Sequence, residues 1–225
     1  MPMNAVYNGP QDLPDVIPVF PLPGALLLPR GQMPLNIFEP RYVGMIDEAL
    51  KANRVVGMIQ PDPEAGGTAL VPKLFRIGCA GRITQLAETG DGRYLVTLTG
   101  IARFSVAEEV PTTLPFRLCR IDFSPFLADF QARAGEDAVD RPAVLKALRD
   151  FVAATDLKID WQGVEQAPNE ALVNALSMIS PFGPREKQAL LEAPDLKTRA
   201  EALVAITEIE NARAYGPGGA EPTLQ

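Results

Sequence analysis

The chain has 225 residues, 47% of them hydrophobic and 22% charged, which suits a soluble globular protein long enough to bury a sizeable core. The formal net charge is −7, with 11 basic against 12 acidic residues in 1–125 and 10 against 16 in 126–225, so neither half offers the basic field that nucleic-acid binding needs. There is no histidine, which excludes Ser-His-Asp and Cys-His catalysis, histidine metal ligands and the usual neutral-pH proton shuttle.

In chain order, residues 1–15 are polar, contain Pro and Gly, and are expected to be a disordered N-terminus. They lack the basic and apolar regions of a signal peptide. No apolar run approaches the length of a membrane span, so a cytoplasmic location is expected. Residues 16–37 hold three apolar runs fenced by proline, VIPVFPLP, ALLLPRG and QMPLNI. Proline removes a ladder donor, so these runs predict short, edge-like or bulged strands, with a turn at Arg30-Gly31. Pro40 suits the first position of a helix, with Glu39 at its N-cap. Val43, Ile46 and Leu50, joined by Tyr42 and Ala49, continue the helical stripe to about Asn53.

Residues 54–60 predict a strand and 61–71 a loop. From 74 to 123 the pattern is β throughout, with a hairpin turn at Asp91-Gly92 and a bulge or tight bend at Gly78 and Gly81. Six or seven strands with one early helix fit a small, partly closed barrel over 16–125. After a charged link at 131–140, helical periodicity takes over. Helices are predicted from Asp140-Arg141-Pro142, Pro168, Pro184 and Pro194, with a connection around Trp161 at 158–166. Trp161 is expected to anchor that connection, the alternative being an exposed contact for a partner. These helices make a bundle subdomain over 126–215, and 216–225 is expected to be a disordered tail.

Little in this pattern carries chemistry. No Gly-rich phosphate loop is present. The four serines sit in strand, helix or Ser-Pro turn contexts rather than beside an activating lysine. Cys79 and Cys119 form no CxxC pair and are expected to be buried thiols, so no zinc site is predicted. The pairs Asp62/Glu64 and Glu108/Glu109 read as solvated surface acids. No cofactor is expected.

The run 19-VFPLPGALLLPRGQMPLNIFEPRYVGMIDEAL-50 resembles the start of the Lon protease N-terminal, substrate-binding domain family. It is closest in pattern to stand-alone bacterial members. The blocks 77-IGCAGRI-83, 91-DGRYLVTLTGIARFSV-106 and 186-EKQALLEAPDLKTR-199 follow in the family's order. The resemblance implies an α+β fold: a PUA-like β pseudo-barrel with one early helix, followed by a C-terminal helical bundle. It implies a non-catalytic module that recognises unfolded or flexible polypeptides, with a separate ATP-dependent protease as a candidate partner. The ATPase and peptidase modules of full Lon are not in this chain. On this reading Met33, Phe38, Glu39, Arg41 and Tyr42, with the loop 61–71, are candidate peptide-binding residues. The competing reading of Glu39-Pro40-Arg41-Tyr42 is a helix start that docks on the barrel. RNA binding, which other PUA-like barrels perform, and a small regulatory ligand in the cleft are the alternative functions.

Overall fold

A computed structural model of the chain describes residues 6–68, 71–155 and 160–215. Six strands precede the helical half: β1 (Val16–Pro21), β2 (Gln32–Ile37), β3 (Val55–Pro61), β4 (Leu74–Glu88), β5 (Tyr94–Val110) and β6 (Arg117–Asp122). The early helix α1 (Pro40–Lys51) lies between β2 and β3. The sheet runs β2-β5-β4-β3-β1-β6, and β6 also pairs with β5. Five strands therefore close into a ring, while β2 lies outside it, bonded among the described residues to β5 alone. The pair β1–β3 is parallel and the others are antiparallel.

Closure requires long strands that bend. β5 has 17 residues and serves β2 with its first half and β6 with its second. Its register on β4 shifts at Ala80/Gly81 and again at Ile83/Gln85. Glycine is needed at these bends because the backbone passes close to its neighbours. A Cβ on Gly78 would lie 2.5 Å from the Phe104 ring, and one on Gly100 would lie 2.0 Å from the Leu28 carbonyl oxygen.

Ile17, Val19, Ala80, Ala102, Phe104 and Ile121 fill the ring. A second, larger core lies on the outside of the ring and joins Phe20, Met58, Ile83 and Leu98 to α1 and the helical half. β3 is buried on both faces, which explains its apolar run from Val55 to Ile59, with the buried Gln60 following it.

The run 25–28, expected to be strand-like, forms a loop instead. Leu26, Leu27 and Leu28 are buried there, and Gly100 of β5 donates to the Gly31 carbonyl at 2.9 Å. Pro23 and Pro29 on either side of this run have no N–H to give to a ladder. The N-terminal stretch expected to be disordered is described from residue 6 onward. In residues 6–15, Leu13 packs into the ring core and the Arg82 guanidinium donates to the Tyr7 hydroxyl at 2.7 Å. Residues 1–5 and the expected tail at 216–225 lie outside the described residues.

The helical half comprises α2 (Arg141–Thr155), α3 (Trp161–Gln166), α4 (Asn169–Ile179), α5 (Pro184–Glu192) and α6 (Leu196–Tyr215). Three N-termini are capped by aspartates. Asp140 accepts from Ala143 N–H, Asp160 from Gln162 N–H and Asp195 from Thr198 N–H. The connection around Trp161 is thus partly a short helix.

Buried polar contacts fasten this half to the ring. Arg103 of β5 makes two 2.8 Å bonds to the Asp129 carboxylate and donates to the carbonyls of Leu191 and Ala193. Arg199 donates to Asn174, which in turn donates to the Pro29 carbonyl. Burial lowers the Arg199 guanidinium to about 10, still charged at neutral pH. Gln60 of β3 donates to Pro184 O and to Gln188 of α5.

Candidate functional site

The corner from β2 into α1 forms because Ile37 ends the ladder to β5 and Pro40 starts the helix. Glu39, in extended backbone (φ −71°, ψ 131°), is the N-cap, and its carbonyl accepts from Tyr42 and Val43, both at 2.9 Å. Its carboxylate does not cap the helix. It accepts from Arg41 Nε at 2.9 Å and pairs with Arg41 Nη2 at 2.8 Å. The Arg41 guanidinium lies 4.5 Å from the Tyr42 ring centroid, and that ring packs 4.3 Å from Phe20 of β1. Tyr42 is only 7% exposed, and burial pushes its phenol above the ordinary value. The corner is therefore a packed helix start. Phe38 differs: it is 60% exposed, with the Arg93 guanidinium 5.9 Å from its ring.

A groove of about 930 Å³ opens beside this corner. One wall is the end of β2 and the start of α1, the floor includes Phe20 and Leu22, and the far wall is the β5–β6 connection at 110–116. Seven prolines line it: Pro21, Pro23, Pro34, Pro61, Pro72, Pro111 and Pro115. Proline offers apolar surface with a fixed φ and no N–H, so these residues make the lining stiff and short of backbone donors. Arg117 holds the far wall in place, donating to Glu109 at 2.7 Å and to the Pro72 carbonyl at 2.7 Å. The groove's charges are thus paired with each other, Arg41 with Glu39 and Arg117 with Glu109. Leu114 at 43% and Val71 at 59% exposure add apolar surface at its rim.

Of the five candidate residues, Phe38, Glu39, Arg41 and Tyr42 line this groove and Met33 does not. Met33 points from β2 toward the larger core, where it is half-buried. From the loop 61–71, Pro61 and Val71 reach the groove, while residues 69–70 lie outside the described residues. Sequence reasoning missed the far wall. Its signal lies in 110-VPTTLPF-116, apolar residues fenced by proline as in 16–37, inside a stretch whose pattern reads as β throughout.

The other chemistry-bearing residues are engaged elsewhere. Ser124 donates to its neighbour Asp122, and the buried Ser177 donates to Val173 O. Glu64 pairs with Arg185, and Glu108 with Arg120. Cys79 and Cys119 are buried free thiols. Burial pushes Cys119 up to about 11 and Cys79 higher still, which keeps both protonated and poorly nucleophilic. Among the described residues, no group of three or more Cys, Asp and Glu could hold a metal ion, and no helix is long and apolar enough to cross a membrane.

Fold and site together define a mixed α+β domain, a strand ring backed by helices, with a proline-walled apolar groove. Residues 16–208 match the ATP-dependent protease La (LON) substrate-binding domain, and the chain belongs to that family. Lon protease 2 of Myxococcus xanthus is 27% identical over 211 residues, which is 87% of this chain and 24% of that protein. Lon protease of Parabacteroides distasonis is 27% identical over 218 residues, covering 90% and 25% respectively. The chain thus spans about a quarter of the length of the curated relatives it matches. Among solved structures, the N-terminal domain of Mycobacterium avium complex Lon protease superposes with a TM-score of 0.63 at 16% identity. It covers 86% of this chain and 98% of that one. A Lon N-terminal domain protein from Xanthomonas campestris gives 0.59 at 19% identity, covering 84% and 97%. At these identities the likeness concerns the fold.

Proposed function

We propose that the chain is a non-catalytic recognition module that binds flexible, apolar segments of polypeptides in the groove beside β2 and α1. The observation that carries this reading is the groove itself: apolar, proline-walled, rimmed by the exposed Phe38, Leu114 and Val71, and with its charges already paired. A site built this way holds uncharged surface and has no group poised for acid–base or nucleophilic work. Membership in the substrate-binding family supports the same reading, and the Lon protease relatives make a separate ATP-dependent protease the natural partner. Affinity is expected to be about micromolar, because ordering a flexible chain opposes binding.

The test is fluorescence anisotropy of a labelled, permanently unfolded polypeptide titrated with the protein in the absence of ATP, the same samples being run on a gel. Saturable binding with the polypeptide intact is the expected result. Cleavage of the polypeptide, or no binding at high protein concentration, contradicts it.

A further inference from the structure

β2 has one edge bonded to β5 and the other bonded to nothing among the described residues. Which backbone groups face the free edge follows from the register. Gly100 N–H donates to Gly31 O, so position 31 faces β5. The ladder from Gln32↔Thr99 to Ile37↔Tyr94 has no shift. Antiparallel bonding alternates, so Met33, Leu35 and Ile37 also bond to β5. Gln32, Pro34 and Asn36 therefore turn their backbone groups outward. Pro34, which has no N–H to give, sits where none is needed by the ladder.

The groove lies along this free edge. Four consecutive residues of β2, Pro34 to Ile37, line it. Side chains alternate between the faces of a strand, so a groove touching all four runs along the edge rather than over one face. None of the β5 residues paired with β2 lines it, which places it on the unbonded side.

We propose that the groove takes an extended polypeptide segment as an added strand on β2, and this rests on the polypeptide-recognition reading above. The Asn36 and Gln32 N–H groups donate to the segment's carbonyls. The carbonyls of Gln32, Pro34 and Asn36 accept from its N–H groups. Main-chain bonding makes recognition tolerant of sequence, and the walls select uncharged apolar side chains at alternate positions. A second copy of this chain is the poorer occupant: β2 paired with β2 about Pro34 would have no donor at its centre.

The experiment uses the full chain and a capped nonapeptide of alternating valine and serine with a lysine at each end, besides the unfolded polypeptide. Asn36→Pro removes the outward donor without touching the ladder to β5, and Asn36→Ala keeps it. Asn36→Pro is expected to weaken binding about tenfold relative to Asn36→Ala. In the unaltered protein, bound peptide is expected to slow hydrogen exchange of the Asn36 amide while leaving that of Leu35 unchanged. Equal affinity of the two variants, or an Asn36 amide indifferent to bound peptide, overturns strand addition and leaves groove recognition standing. A stable dimer that the peptide does not dissociate also overturns it. Failure of both the peptide and the unfolded polypeptide to bind removes the underlying reading as well.

Discussion

Phe38 and Tyr42 are four residues apart in one motif and have opposite environments. Phe38 is mostly solvated, so Phe38→Ala is expected to change stability by less than about 0.5 kcal/mol. It is expected to weaken polypeptide binding about tenfold. Tyr42 is buried against Phe20, and Tyr42→Ala is expected to cost about 3 kcal/mol. Denaturant melts and anisotropy titrations on both variants separate the two roles. The helix start was legible in the sequence because Pro40 and the apolar stripe after it depend on local spacing alone. The pairing of Glu39 with Arg41 instead of the helix N-terminus was not, since a carboxylate two residues from an arginine can satisfy either. Asp129 was not legible either: its partner Arg103 is distant in sequence, and only the closed ring brings them together. Asp129→Ala leaves that guanidinium buried without its counter-charge. It is expected to cost about 3–5 kcal/mol in a denaturant melt.

Among the elements, the strands were readable from their short apolar or alternating runs, and the longer helices because proline or aspartate marks where each begins. The loop 22–31 was not, because three consecutive buried leucines look alike in a strand and in a loop that plugs a core. Its placement depends on Gly100, whose missing Cβ leaves room for the Leu28 carbonyl. Gly100→Ala is expected to destabilise the fold by about 3 kcal/mol, at the upper end of overpacking changes. α6 offers a pH test. The Thr198 N–H bond, made at 2.7 Å, holds the Asp195 carboxyl below the usual carboxylate range. A depressed carboxyl stabilises the fold at pH values above its unfolded value, about 4, and loses that contribution as pH falls through its lower folded value. Asp195→Ala is expected to cost about 1 kcal/mol at neutral pH, with the difference from the parent shrinking in acid. Thermal melts across pH would contradict this if the difference stayed constant.

Across the molecule, the larger core joins the outer face of the ring to α1 and to the helical half, and the Arg103, Arg199 and Gln60 contacts cross the same boundary. Heat unfolding is therefore expected as one transition, with Trp161 fluorescence and far-ultraviolet circular dichroism coinciding. The architecture was legible from strand and helix periodicity. The groove was not, because its walls come from residues in 20–23, 34–42 and 109–117, with Pro61, Val71 and Pro72, that meet only once the ring closes. Polypeptide binding in this groove is checked by amide chemical-shift mapping of the labelled protein titrated with a permanently unfolded polypeptide. Perturbations concentrated at Asn36, Phe38, Val110 and Leu114 are the predicted result; binding whose perturbations fall on the helical half and spare these residues would contradict it.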